Sequence, residues 1–331
     1  MPIDDLKRRD FITLMGGAAA GWPLAARAQQ PAKIPRIGFL KLGLASAYAN
    51  WVEALQTGLR ERGYVNGRNI VIEFRWAETI DQLPELAADL VRMNVDVIFA
   101  LASTETEAAR QATKTIPIVF GSHADPVGLG HVASLARPGA NLTGLTVVQT
   151  DLTAKAMQLL KEAVPQVTRI GVLFNPAAPS HRPTLQALET ACEKLGVQLL
   201  MAPVRTVDDF DGAFATMVRE RVGGFFVSTE AVTVSNRARL AGLALKHQLP
   251  GMFGVRDNVE AGGLMSYAPD HHGLVRRAAT YIDKILKGAK PADLPVEQAS
   301  KYYLVINLET AKAIGLTISE SFLLRADELI E

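Results

Sequence analysis

From Arg36 onward the chain alternates short apolar runs with longer stretches whose apolar residues recur at three- and four-residue spacing. The runs "RIGFLKL" (36–42), "NIVIEFRW" (69–76), "VDVIFAL" (95–101) and "IPIVF" (116–120) have the length and content of buried strands. Between them, 50–63, 81–94 and 104–114 carry helical periodicity; in the first, Trp51, Val52, Leu55 and Leu59 share a face and Gly63 stops it. The order recurs from 169 onward. Strands are predicted at 169–176, 197–204, 222–228 and 249–253, and helices at 182–196, 207–221 and 236–248. Alternation of this kind predicts an α/β fold with parallel sheets covered by helices on both faces.

The two halves match in register. Arg36-Ile37-Gly38 and Arg169-Ile170-Gly171 lie 133 residues apart, as do Ile116-Pro117 and Leu249-Pro250. "FALASTE" (99–105) and "FFVSTE" (225–230) each end an apolar run on Ser-Thr-Glu, at the third strand of each half. Two similar α/β lobes follow. A turn at Pro138-Gly139 and an extended run at 142–148 lead out of the first lobe. After 261–270 come another helix (272–288), a Pro-containing link and a further run, "KYYLVIN" (301–307). A chain that returns to its first lobe and crosses again needs these elements. Three crossings are therefore expected, near 148–150, 266–270 and 304–307. The first lobe is then 34–148 plus about 268–304, and the second 149–267 plus about 305–331.

The first 28 residues follow another pattern. Arg8-Arg9 precedes Asp10, Phe11 and Ile12, then a weakly apolar Gly/Ala stretch that closes on Ala26-Arg27-Ala28. That is the layout of a secretory signal of the twin-arginine type, and it predicts a periplasmic protein. The apolar stretch is too short to span a bilayer. Without the segment the acidic and basic side chains balance, which leaves no electrostatic footprint for nucleic acid. Cys192 is the one cysteine, so no internal disulfide can form; its spacing with Leu185, Leu188 and Leu195 places it on a core face.

Ligands of parallel sheets bind at the carboxyl ends of the strands, where helix N-termini present unpaired N–H groups. The candidate ligand-binding residues are those that follow strands. In the first lobe they are Ser46, Ser103, Thr104, His123 and Asp125; in the second, Asn175, Ser180, Ser228 and Glu230, with Tyr267 at a crossing. Ser and Thr hydroxyls can bond a carboxylate, and Glu can accept from an ammonium. Ser-Thr-Glu also reads as ordinary helix capping, which shares the same position. No G-x-S-x-G turn, P-loop or dinucleotide fingerprint occurs after the signal, and His271-His272 are adjacent rather than at chelating spacing. No catalytic residue, metal or cofactor is expected, and the pattern favours binding over catalysis.

The stretches "GLRERGYVNGRNIVIEFRWAE" (58–78), "TIPIVFGSHADPVGLG" (115–130), "ARPGANLTGL" (136–145), "AGGLMSYAPD" (261–270) and "ILKGAKPADLPVEQASKYYLVINLETAKAIGLTI" (285–318) resemble the periplasmic substrate-binding proteins of ABC transporters, in the branch with tryptophan- and aromatic-amino-acid-type binding proteins. The resemblance implies two Rossmann-like lobes of the type I periplasmic binding fold, hinged, with a small ligand buried between them. It implies a monomer that delivers the ligand to a membrane permease and its ATPase. No aromatic residue follows Ser103 in its loop, and Glu230 stands where relatives often carry an acidic residue. An amino acid or small carboxylate is expected. A ligand sensor for a receptor, and an exported enzyme with an unrecognised site, are the alternatives.

Overall fold

The computed structural model describes residues 33–331; the expected signal segment lies outside the described residues. In chain order the first part runs β1 (Arg36–Leu42), α1 (Ala49–Arg60), β2 (Val71–Ala77), α2 (Leu83–Arg92), β3 (Val97–Ala100), α3 (Ser103–Ala112), β4 (Ile118–His123) and β5 (Leu142–Thr146). The second runs α4 (Gln149–Ala163), β6 (Arg169–Phe174), α5 (His181–Leu195), β7 (Gln198–Pro203), α6 (Asp209–Arg219), β8 (Gly224–Val227), α7 (Ala231–Ser235), α8 (Arg237–Lys246), β9 (Gly251–Phe253), α9 (Arg256–Glu260) and β10 (Met265–Pro269). The last runs α10 (His271–Leu286), β11 (Glu297–Gln298), β12 (Tyr302–Asn307), α11 (Leu308–Ala313), α12 (Glu320–Leu323) and β13 (Glu328–Ile330).

Two sheets result. The first has the order β11-β5-β4-β3-β1-β2 and is parallel throughout. The second has the order β13-β12-β10-β9-β8-β6-β7 and is parallel except where β12 runs against β10. Strands β1 and β6, carrying the repeated Arg-Ile-Gly, hold equivalent places, each between the second and third strands of its lobe. The repeated glycine has a packing reason. A Cβ at Gly38 would stand 2.9 Å from the Leu90 side chain, and one at Gly171 would stand 2.2 Å from Met217 Sδ. Each lobe thus seats a helix directly on its first strand.

Both faces of each sheet are covered, which is why its strands read as continuous apolar runs. On the first sheet Phe39, Phe99 and Val119 face Leu55 and Leu59 of α1 and Val275 and Ile282 of α10. Leu40, Ile98 and Phe120, on the opposite face, meet Leu83 and Leu90 of α2. On the second sheet Val172, Phe226 and Met252 meet Met157 and Leu160 of α4 together with Cys192 of α5. Leu173, Phe225 and Val227 meet Phe210 and Phe214 of α6. Cys192 is buried, and burial pushes its thiol up to about 11, so it packs as an apolar group.

The chain passes between the sheets at 147–148, at 270 and at 299–301. The last passage lies ahead of the 304–307 read from the sequence. Tyr302 to Ile306 pair with β10, from Tyr302 opposite Pro269 to Ile306 opposite Met265, whereas of this last stretch the first sheet keeps only Glu297 and Gln298. A two-residue polar edge strand leaves no hydrophobic signature to read.

Candidate functional site

The carboxyl ends of the two sheets face one cavity of about 660 Å³, counting the space open at its mouth. The first lobe contributes Lys41, Tyr48, Trp51 and the 102–105 loop; the second contributes Ser180 and the stretch from Thr229 to Ala231; His271, which opens α10, completes the wall. Both Ser-Thr-Glu tripeptides reach this cavity. Each follows the third strand of its lobe and leads into a helix, α3 or α7.

Their chemistry differs. Glu105 is 1% exposed, and its Oε1 accepts from Lys41 Nζ at 2.5 Å and from the Leu42 amide at 3.0 Å. Lys41 comes from inside β1, a charge within an otherwise apolar run, and its Nζ also lies 4.3 Å from the Tyr48 ring centre. Burial pulls the Lys41 ammonium down, but the Glu105 carboxylate and Tyr48 outweigh it, and the group is held above its ordinary value. Glu105 Oε2 is buried and has no partner among the described residues. In the second lobe Thr229 Oγ1 is likewise buried and unpartnered. Glu230 Oε1 accepts a long contact from Ser228 Oγ, at 3.4 Å, and its side chain takes part in a capping box with Thr233 at the start of α7. Burial pushes its carboxyl up to about 8; the Ser228 hydroxyl opposes that and the Glu105 charge reinforces it. Glu230 is therefore a neutral acid at neutral pH.

Ser103 and Thr104 open α3, whose N-cap, Ala102, offers no side-chain acceptor to the first-turn amides. Those amides and the helix dipole form an anion-favouring end of the cavity. Ser103 itself is held from behind. Its Oγ accepts from the Ala124 amide at 3.0 Å and lies 3.3 Å from His123 Nδ1. The Asp125 amide donates to that same nitrogen at 3.1 Å, which places the His123 proton on Nε2. Nε2 then donates to His131 Nδ1 at 2.7 Å, and His131 Nε2 to Glu107 Oε2 at 2.8 Å. Burial, and then the neighbouring His131, holds His123 well below the ordinary histidine value; burial likewise lowers His131, with Glu107 opposing. Two neutral rings thus carry donation in one direction, from His123 through His131 to Glu107, behind Ser103.

An aromatic corner closes the site. Trp51 stacks on His271 with ring centres 5.3 Å apart and meets Tyr48 edge-on at 5.7 Å. His271 Nε2 donates to the Gly254 carbonyl at 3.3 Å, and Nδ1 accepts from Ser122 Oγ at 3.0 Å. Burial holds the ring neutral, at about 4.

Of the residues singled out in the sequence, Ser103, Thr104, Ser180 and Glu230 line the cavity. Six stand elsewhere. Ser46 is exposed in the turn before α1. His123 lies behind Ser103. Asp125 and Asn175 accept from Gly128 and Ala177 amides and shape turns. Ser228 backs Glu230, and Tyr267 packs near Tyr302, 6.0 Å between ring centres. Lys41, Tyr48, Trp51, Glu105 and Thr229 are lining residues that the strand-end rule passed over. Lys41 carried a signal: a lone cation inside "IGFLKL" requires a buried partner. Trp51 carried none, since its spacing is that of an ordinary helix face.

The cavity offers an anion-favouring helix terminus, two carboxyl groups and a pair of aromatic rings, an arrangement suited to a small zwitterion with an apolar side chain. The comparisons agree in kind. The family model of ABC transporter substrate binding proteins matches residues 45–330. The chain is similar to a tyrosine-binding protein of Clostridioides difficile (strain R20291), 26% identical over 260 residues that cover 78% of this chain and 74% of the relative. It is similar to the crystal structure of a conserved domain protein of Vibrio cholerae O1 biovar El Tor, with 28% identity, TM-score 0.84, and 90% and 100% of the two chains covered. It is also similar to a structure from Streptococcus pneumoniae described as an ABC domain in complex with L-Trp, with 27% identity, TM-score 0.81, and 89% and 100% covered. With two parallel-sheet lobes in the type I periplasmic binding arrangement and a family match over nearly all of its described length, the chain belongs to the ABC transporter substrate-binding protein family.

Proposed function

We propose that this protein is the extracytoplasmic solute-binding component of an ABC importer and that its ligand is an α-amino acid with an apolar or aromatic side chain. One observation carries the reading. Two buried polar atoms without a partner among the described residues, Glu105 Oε2 from one lobe and Thr229 Oγ1 from the other, belong to residues that line the same cavity. Buried polar groups are nearly always paired, so a ligand with hydrogen-bonding ends is what these atoms await. An ammonium group would satisfy Glu105 Oε2 and draw the proton from Glu230. The ligand carboxylate would take the Ser103 hydroxyl and the free amides of α3. Tyr48 and Trp51 would receive the side chain, in keeping with the amino acids named for the tyrosine-binding relative and the L-Trp complex. A permease and its ATPase would take the ligand on. The twin-arginine segment would bring the protein to the periplasm, with the mature chain starting at Gln29, where it would act as a monomer without chemical turnover.

The test is mass spectrometry of small molecules released on denaturing the purified protein, followed by calorimetry with the twenty amino acids. A single amino acid recovered at about one per chain and bound tightly supports the reading. Recovery of a sugar or another uncharged ligand, with no heat from any amino acid, overturns it.

A further inference from the structure

Trp51 belongs to the first lobe, on α1, yet its indole N–H is satisfied by the second. Nε1 donates to Asp257 Oδ2, on α9, at 3.0 Å. Both groups are buried, at 3% and 6% exposure. An indole N–H donates only and must find an acceptor when it leaves water. Three neighbouring rings fix the corner in which Trp51 sits, and Trp51 still lines the cavity. His271 stacks on it, His272 stands edge-on at 5.3 Å, and Tyr48 stands edge-on from the third side. The contact with Asp257 removes the remaining freedom, the rotation of the ring within that corner.

Asp257 is itself anchored to the first lobe. His272 Nε2, at the start of α10, lies 3.6 Å from Asp257 Oδ2. Burial works against the Asp257 charge, but His272 and Trp51 prevail and hold its carboxyl at about 2. Few other polar contacts join the lobes near the cleft: the Leu44 amide to Ser235 Oγ at 3.3 Å, Arg237 Nη1 to the Ala47 carbonyl at 3.1 Å, and His271 to Gly254. Among these, only the Asp257 and His271 contacts end on side chains that line the ligand cavity, Trp51 and His271 themselves, and these two rings stack on each other.

We propose that Asp257 is a positioning residue for ligand binding: by holding the Trp51 indole from the opposite lobe, it makes closure of the cleft and formation of the aromatic wall one event. The inference rests on the reading of Trp51 as ligand wall. When the lobes part, Trp51 and Asp257 separate and water takes both groups. When they close on a ligand, each becomes the other's partner. Specificity for the ligand side chain is then read only in the closed arrangement, by a ring that the second lobe has set in place.

The experiment uses the full mature chain, with L-tyrosine and L-tryptophan as probes, and the variants Asp257→Ala, Asp257→Asn, Trp51→Phe and the double variant Trp51→Phe/Asp257→Ala. Calorimetry gives affinity, small-angle scattering gives the radius of gyration, and melting of unliganded protein gives stability. Asp257→Ala is expected to weaken binding by about 10- to 150-fold, with unliganded melting close to wild type. Asp257→Asn keeps an acceptor for the indole and is expected to restore at least about tenfold of that loss. The double variant is expected to bind no worse than Trp51→Phe, because the pair acts as a unit. Asp257→Ala binding within about twofold of wild type, or additive losses in the double variant, would overturn the inference. If wild-type protein binds neither amino acid, it is the ligand reading that fails. The latch is then judged with the molecule released from the denatured protein as probe: weaker binding by Asp257→Ala but not by Asp257→Asn upholds it, and equal affinities for all three overturn it.

Discussion

Replacing Glu230 by Gln tests the electrostatic reading of the cavity from two sides. A carboxyl carried from its ordinary value of 4.5 up to about 8 binds a proton in the folded protein that the unfolded chain has released. Folding stability therefore falls as pH rises through that window and is fully lowered above 8. At pH 7 the shift amounts to about 3 kcal/mol, at 1.36 kcal/mol per unit. The carboxamide of Gln has the shape and donor of the neutral acid but no proton to lose. Glu230→Gln should melt with wild type near pH 5 and progressively above it as the pH climbs, by about 5 °C at pH 7. Ligand binding should show the converse. An acid of value about 8 is roughly one-tenth ionised at pH 7, so an arriving ammonium should expel about 0.9 proton per ligand. Affinity should rise about tenfold between pH 6.5 and 7.5. Calorimetry in two buffers of different ionisation heat counts the proton, and Glu230→Gln should release none. Parallel melting curves at every pH, or binding without proton release in wild type, would refute the reasoning.

Lys41→Met should destabilise the protein by about 3–5 kcal/mol in denaturant titration, because it leaves the Glu105 carboxylate buried without its cation. Adding Glu105→Gln to it should recover part of that loss, and no recovery would argue against the pair as the cause. Ser103→Ala should weaken amino-acid binding by about tenfold while costing about 1 kcal/mol of stability; a stability loss alone would reduce Ser103 to a brace for the Ala124 turn. Val148 sits in the first crossing with φ +44, a left-handed conformation that a β-branched side chain resists. Val148→Gly should raise the unfolding free energy from denaturant titration by about 1 kcal/mol, and a lowered value would show that Val148 side-chain contacts outweigh the backbone strain.

The parts of the fold carried by periodicity were legible in the sequence. Runs such as Ile37–Leu42 and Ile170–Phe174 are apolar on both faces because helices cover both, and the 133-residue offset corresponds to the equivalence of β1 and β6. What escaped was short or polar: β11, β13 and the single-turn helix α9, none long enough to repeat a period. The site was legible by position and not by partner. The strand-end rule reached Ser103, Thr104, Ser180 and Glu230, but it also chose Asp125 and Asn175, whose side chains are spent on their own turns. Trp51 escaped because helical spacing places it in a core, and it is in one. Its ring packs with Leu55 and Ile282 while its other side meets the cavity, a double use that one-dimensional spacing cannot express.

Helix α10 has a consequence for how the chain acquires its shape. It is made from residues 271–286, yet it lies against α1, so closely that a Cβ on Gly58 would stand 2.2 Å from the Arg276 carbonyl oxygen. The cluster that Trp51, Leu55 and Leu59 form on the first sheet stays incomplete until Val275, Ala279 and Ile282, about 200 residues later in the chain, arrive. The second lobe waits as well, since β12 and β13 come last. Neither core can be finished until most of the chain has been made, and an isolated amino-terminal half would lack the α10 face of its core. Such long-range closure slows folding and ties the two lobes into a single late step, so the emerging polypeptide remains pliable for most of its synthesis.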